Sequence, residues 1–133
     1  MNKRQLGNTN INLTAIGFGG APLGNLFENL DERNCYDILE KTYNEGINIY
    51  DTSPLYGYGL SEHRLGNFLK TVDEESYFLS TKVGRYLTPA KKESIDRGRF
   101  AGSLNFSPNL DYSYDGVMLS LIHISEPTRL DDI

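Results

Sequence analysis

The spacing of three apolar runs constrains this chain most. Ala15-Ile16-Gly17-Phe18-Gly19, Ile47-Asn48-Ile49-Tyr50 and Tyr77-Phe78-Leu79-Ser80-Thr81 each read as a short buried strand. Their ends, at Gly19, Asp51 and Lys82, lie 32 and then 31 residues apart. Helical patterns fill both intervals. In the first, Asp31 is placed as an N-cap, and Cys35, Ile38, Leu39, Thr42 and Tyr43 recur at the three-and-four spacing of one helical face. Gly46 stands where that helix has to stop. In the second, Ser61 is expected to cap a helix that turns Leu65, Phe68 and Leu69 inward. Strand–helix–strand at this interval requires right-handed parallel crossovers, hence an α/β fold with helices outside a sheet. Ahead of it, Arg4 to Leu13 reads as a hairpin around the turn residues Gly7-Asn8-Thr9-Asn10.

Two parallel architectures compete. A doubly wound dinucleotide-binding sheet carries G-x-G-x-x-G after its first strand. Gly17 and Gly19 begin that pattern, but Pro22 occupies the third glycine's place, and Gly57 and Gly59 fail likewise at Glu62. The other architecture is the (β/α)8 TIM barrel, which gathers its site at the C-terminal ends of its strands, where Asp51 and Lys82 fall. Residues 85–114 lack helical periodicity and contain Gly98, Gly102 and Pro108. A stretch of that length is expected to be either a functional loop over the site or disordered.

Composition closes other routes. The 133 residues carry a net charge of -5, which leaves no electrostatic footprint for nucleic acid. The basic residues Lys91, Lys92, Arg97 and Arg99 are interrupted by Glu93 and Asp96 and read as a solvated loop. No run approaches the ~20 apolar residues of a membrane span, and no signal-like apolar segment follows the basic start. A soluble cytoplasmic protein is the expectation, so the acceptor pattern Asn105-Phe106-Ser107 carries no weight. One cysteine, Cys35, and two histidines, His63 and His123, make a disulfide framework or structural zinc implausible, and Cys35 is expected to be buried packing.

Neighbouring parallel strands lie about 4.8 Å apart, so Asp51 and Lys82 are expected within salt-bridge reach. Tyr56, five residues further along the rim loop, can lean over the same mouth. A lysine ammonium favours a phenolate, which lowers a tyrosine pKa that begins near ~10 and suits it to general acid–base work. Each residue also has a plain alternative. Asp51 can cap the Thr52–Ser53 turn, Tyr56 is one of nine tyrosines available for packing, and Lys82 can simply be solvated.

Four ordered motifs decide between these. They are Gly17-Phe18-Gly19-Gly20-Ala21-Pro22-Leu23-Gly24-Asn25, Asp51-Thr52-Ser53-Pro54-Leu55-Tyr56-Gly57, Ser61-Glu62-His63-Arg64-Leu65-Gly66 and Ser80-Thr81-Lys82-Val83-Gly84-Arg85. Together they closely resemble the aldo-keto reductases, and most of all the sugar-oxidising branch of L-fucose, D-threo-aldose and L-galactose dehydrogenases. Tyr112 to Met118 continues the likeness into a third helix, and coverage runs from about residue 4 to 120. The resemblance implies the N-terminal hairpin and first three β/α units of a TIM barrel, with NADP or NAD as cofactor. It implies metal-free hydride transfer between nicotinamide C4 and the carbonyl or alcohol carbon of a small carbonyl or sugar substrate. Tyr56 would be the proton donor or acceptor, Lys82 its tuning partner and Asp51 the partner of Lys82. Gly19, Gly20 and Ala21, with Asp51, would approach the nicotinamide end, where a flat ring lies close only if no Cβ obstructs it. A tight turn would select the same glycines.

The chain departs from the family after about Ser120. The family's fourth catalytic residue, a histidine, follows a complete third helix and ends a fourth strand, whereas His123 arrives too early for that place. Residues Ser120 to Leu130 resemble a translated sequencing adapter, so residues 1–120 are expected to be the reductase part and 121–133 a non-native or irregular tail. A genuine variant terminus is the alternative. A whole barrel takes ~250 residues, so the chain alone is expected neither to bind NADP(H) tightly nor to turn over. Retention of Asp51, Tyr56 and Lys82 favours an enzyme over a relic or docking module, and only the motifs set aside an isomerase barrel.

Overall fold

A computed structural model describes residues 1–125. The hairpin pairs β1 (Lys3–Gln5) with β2 (Asn12–Thr14), antiparallel, around a turn in which Gly7 has φ +53°. Strands β3 (Phe18–Gly19), β4 (Ile49–Asp51) and β5 (Phe78–Ser80) form a parallel sheet in sequence order, with β3 and β5 at its edges. Among the described residues there is no closed barrel. Helix α1 (Glu32–Asn44) joins β3 to β4, and α2 (Leu60–Leu69) joins β4 to β5.

The strand register separates two faces. Phe18, Tyr50 and Leu79 lie side by side on one face; Gly19, Asp51 and Ser80 lie side by side on the other. Tyr50 is fully buried against the helices, in a core with Leu23, Cys35, Leu39, Leu65, Phe68 and Leu69. Cys35 therefore packs as expected, and burial pushes its thiol pKa up. Ile38, placed on the same face by spacing, is exposed.

Local chemistry explains where the elements begin and end. The Asp31 carboxylate accepts the Arg33 N–H at 2.9 Å, the expected N-cap of α1. At the other end Gly46 takes φ +81°, with Gly46 N donating to Tyr43 O and Ile47 N to Thr42 O. These two bonds make a Schellman stop. Asn48 ties the hairpin to the sheet, at the end opposite Asp51. Its Oδ1 accepts Thr14 N at 2.8 Å and its Nδ2 donates to Asn12 O at 2.9 Å.

Three expectations are corrected. The N-cap of α2 is Gly59, at φ +94°, and Ser61 lies inside the first turn with its hydroxyl committed to tertiary contacts. A hydroxyl already used across the fold is not available to cap its own helix. Residues 85–114 are not disordered, and the stretch expected to be a loop carries regular structure. They hold an antiparallel ribbon of β6 (Arg85–Pro89) and β7 (Phe106–Leu110), with Leu87 opposite Pro108. Prolines in both strands hide the ribbon from a reading by pattern, because proline suits only an edge, and both ribbon strands are edges. Arg97, read as solvated, turns inward and donates to Ser103 Oγ at 2.8 Å and Asn105 Oδ1 at 3.0 Å.

After the ribbon, Ser113 Oγ accepts Gly116 N and opens α3 (Tyr114–Ser125). His123 falls within the span of this helix, and residues 126–133 of the expected tail lie outside the described residues. Among the described residues, no helix is long and apolar enough to cross a membrane.

Candidate active site

The parallel register puts Asp51 beside Ser80, and Lys82 follows two residues later on the same rim. Lys82 Nζ donates to Asp51 Oδ2 at 2.7 Å and to the Thr52 carbonyl at 2.9 Å. Ser80 Oγ donates to the other carboxylate oxygen of Asp51 at 2.9 Å. Partial burial pushes the Asp51 carboxyl up. The hydrogen bonds from Lys82 and Ser80, with the Lys82 charge, outweigh that and hold it below the ordinary value. For Lys82 burial pulls downward, and the Asp51 carboxylate with the Tyr56 hydroxyl more than reverses it. Both members of the pair are fixed as ions.

Tyr56 completes the group. Its ring centroid lies 4.9 Å from Lys82 Nζ, within cation–π range. It sits on the loop that follows β4, and that loop is held by a backbone crossing. Gly57, at φ +65°, packs against Gly24 so closely that a Cβ added there would meet Gly24 O at 2.5 Å. A Cβ added at Gly24 would in turn meet Gly57 N at 2.6 Å and Tyr56 O at 2.7 Å. The structure thus brings together the three residues singled out by sequence.

The glycines of the first strand end divide into two kinds. At Gly20 a Cβ would lie 2.8 Å from Ser61 Oγ and 2.9 Å from Asp51 O, so the turn itself demands glycine. At Gly19 a Cβ would meet nothing within 4 Å, although the residue is exposed beside Asp51. The fold gives no internal reason for glycine there, which leaves a surface that a flat group can approach. Ala21, in the tight turn Ala21–Gly24, follows directly.

Sequence reasoning missed the supports. Ser61, fully buried, donates to Gly20 O at 2.7 Å. Its one proton is thereby used, so Thr52 donates in the 2.9 Å Thr52–Ser61 contact. Arg64, nearly buried, donates to Leu23 O and Asn25 Oδ1, each at 2.7 Å, and to Leu30 O at 3.0 Å. It also pairs with Glu32. The signal was present: Arg64 falls on the inward stripe with Ser61, Leu65 and Phe68, where an arginine has to be paired. A cavity of about 240 Å³ lies elsewhere, between Pro54, Glu62, the ribbon residues Arg85–Leu87 and Phe106, and Ser120. It does not include Asp51, Tyr56 or Lys82.

Three parallel strands with flanking helices, and charged and phenolic groups gathered at their C-terminal ends, define a barrel-type α/β site. The aldo/keto reductase family model matches residues 15–129, and the chain belongs to that family. Pyridoxal 4-dehydrogenase of Microbacterium luteolum is 43% identical over 128 residues, covering 89% of this chain and 37% of that protein. D-threo-aldose 1-dehydrogenase of a Pseudomonas species is 36% identical over 125 residues, covering 91% and 38%. Among solved structures, the holo form of an aldo-keto reductase from Bacillus halodurans superposes with a TM-score of 0.68 at 27% identity, covering 96% of this chain and 36% of that one. The chain therefore spans well under half the length of these relatives, and its architecture is that of part of their barrel.

Proposed function

We propose that these residues form the proton-transfer rim of an NAD(P)-dependent oxidoreductase acting on a small aldose or related aldehyde. The observation that carries the reading is the convergence of Lys82 with Asp51 at 2.7 Å and with the Tyr56 ring at 4.9 Å. Tyr56 gives a proton to the substrate oxygen in reduction and takes it back in oxidation. Lys82, fixed as a cation by Asp51, sets the field at the phenol. Asp51 is itself held by Ser80, so the charge partner does not wander. The open backbone at Gly19, with Gly20, Ala21 and Asp51 around it, would hold the nicotinamide end of the cofactor. A bound nicotinamide supplies or accepts the hydride. The reading keeps the cytoplasmic location expected from the sequence, and leaves the choice between NAD and NADP to residues beyond this rim.

The test uses residues 1–118 joined to the remaining barrel of the pyridoxal 4-dehydrogenase relative. It is assayed with pyridoxal, L-fucose and D-galactose, each with NAD and NADP. Tyr56→Phe is expected to lower kcat by roughly 100-fold or more while leaving cofactor affinity intact. An unchanged rate would remove Tyr56 from the chemistry. The 133-residue chain alone, with only the nicotinamide end of the site assigned, is expected to bind NADPH weakly. A micromolar affinity in a fluorescence titration would contradict that.

A further inference from the structure

The connection between β6 and β7 is sewn across the rim by main-chain bonds. Phe27 N donates to Arg99 O at 2.7 Å and Ala101 N to Asn25 O at 2.9 Å, with Leu26 bridging Phe100. Leu104 N donates to Gly57 O at 3.0 Å, next to Tyr56. Within the connection, Arg97 grips Ser103 and Asn105, and the Tyr58 hydroxyl donates to the Asp96 carbonyl. Three non-glycine residues in these contacts are in left-handed backbone, Asn25 at φ 63°, Phe27 at φ 71° and Tyr58 at φ 54°. That conformation is unfavourable for a residue as bulky as phenylalanine, and it persists only where the surroundings impose it. What all this holds in place is Phe100. Its ring lies 6.2 Å from the Tyr56 ring and 6.3 Å from that of Tyr58, and it is only half-buried.

A fixed aromatic face beside a proton donor discriminates by shape. A ligand that carries its reacting carbon on a ring can lay that ring on Phe100 while the carbon faces Tyr56; an open-chain carbonyl cannot. We infer that Phe100 is a specificity-determining residue, a wall that favours ring-bearing substrates over acyclic ones. This rests on the oxidoreductase reading above. The shared chemistry is an apolar ring face, which either a pyridine-type ring or the C–H face of a pyranose provides.

The test is a titration of the 133-residue chain by NMR, with pyridoxine, methyl galactopyranoside and glycerol as probes. The Phe100 ring signals of the wild-type chain are expected to shift with at least one ring probe and not with glycerol. Pyridoxine alone would mark the heteroaromatic ring as the preferred face, and the galactoside the sugar ring. Phe100→Leu, which keeps apolar bulk, should weaken ring binding roughly 3- to 10-fold, and Phe100→Tyr should restore it. The inference is overturned if neither ring probe moves the Phe100 signals, or if Phe100→Leu binds as the wild type does. Tyr56→Phe should leave ring binding in place. Phe100-dependent binding without hydride transfer in the completed protein would sink the oxidoreductase reading and leave the wall standing. Turnover of acyclic substrates without ring binding would do the reverse.

Discussion

Alanine at Gly24 and alanine at Gly19 should have opposite consequences, and the pair separates packing from ligand approach. At Gly24 the new Cβ would stand 2.6 Å from Gly57 N and 2.7 Å from Tyr56 O, where ordinary contact begins near 3.4 Å. The obstructing atoms are backbone, the Tyr56 carbonyl carbon nearest of all, so no rotamer relieves them and the Tyr56–Gly57 peptide must retreat by roughly 1 Å, at about 1–3 kcal/mol. At Gly19 the Cβ meets nothing within 4 Å and φ lies outside the left-handed region, so stability should hold or rise by up to about 1 kcal/mol. Urea unfolding of the chain, followed by far-ultraviolet circular dichroism, reads both effects directly. In the protein completed with the relative's barrel, Gly24→Ala should cut turnover roughly 100-fold through the displaced phenol. Gly19→Ala should instead weaken nucleotide binding, since the Cβ enters the space assigned to the nicotinamide. A wild-type urea midpoint for Gly24→Ala would refute the crossing. Unchanged nucleotide affinity in Gly19→Ala would refute the assignment of that open surface.

Other substitutions probe the supports. Arg64→Ala strips charged donors from Leu23 O and Asn25 Oδ1, both in buried residues, and should cost about 2–4 kcal/mol in the same unfolding assay. Glu32, whose side chain is 72% exposed, stays solvated and adds little. The Asp51–Lys82 pair should shape stability at both ends of the pH scale. The lowered carboxyl contributes above its ordinary value of 3.8 and loses that contribution as pH falls through its depressed value. The raised ammonium contributes below 10.5 and loses its share as pH rises through its elevated value. Both side chains are nearly half exposed, so the plateau between should be worth at most about 1 kcal/mol. The difference between wild type and Asp51→Asn should therefore be flat near neutrality and shrink below about pH 4.

The sequence shows the parallel frame because period and spacing are local signals with a global consequence. Asp31, Gly46 and the strand end at Asp51 are readable as a cap and stops; β5 closes at Ser80, two residues before Lys82, and Lys82 still reaches Asp51 as an ion pair. The ribbon was not readable, because Pro89 and Pro108 contradict strand propensity and its pairing partners lie about 20 residues apart. Ser61 misled for a related reason. A serine at a helix start looks like a cap, and only tertiary structure shows its proton pointing at Gly20 O. The glycines were read as one group, yet Gly20 is demanded by Ser61 and Asp51 whereas Gly19 is not demanded by the protein at all.

The three members of the site are therefore held by different kinds of structure. Asp51 is placed by strand register, which cannot slip by one residue without moving Tyr50 out of the core, and Lys82 follows the end of β5 by only two residues and is tied to Asp51 and the Thr52 carbonyl. Tyr56 has no such guarantee. Its position comes from the Gly24–Gly57 crossing on one side and the Phe100 ring on the other, and both belong to connections rather than strands. A rigid ion pair facing a loop-borne phenol confines adjustment to one partner. The charge that sets the field stays fixed, while the connections determine where the proton is delivered and which shape of substrate can receive it. Changes in Asn25–Phe27 or in residues 96–104 should thus alter substrate preference before they alter the Asp51–Lys82 geometry, because no main-chain bond of that stitch reaches either residue.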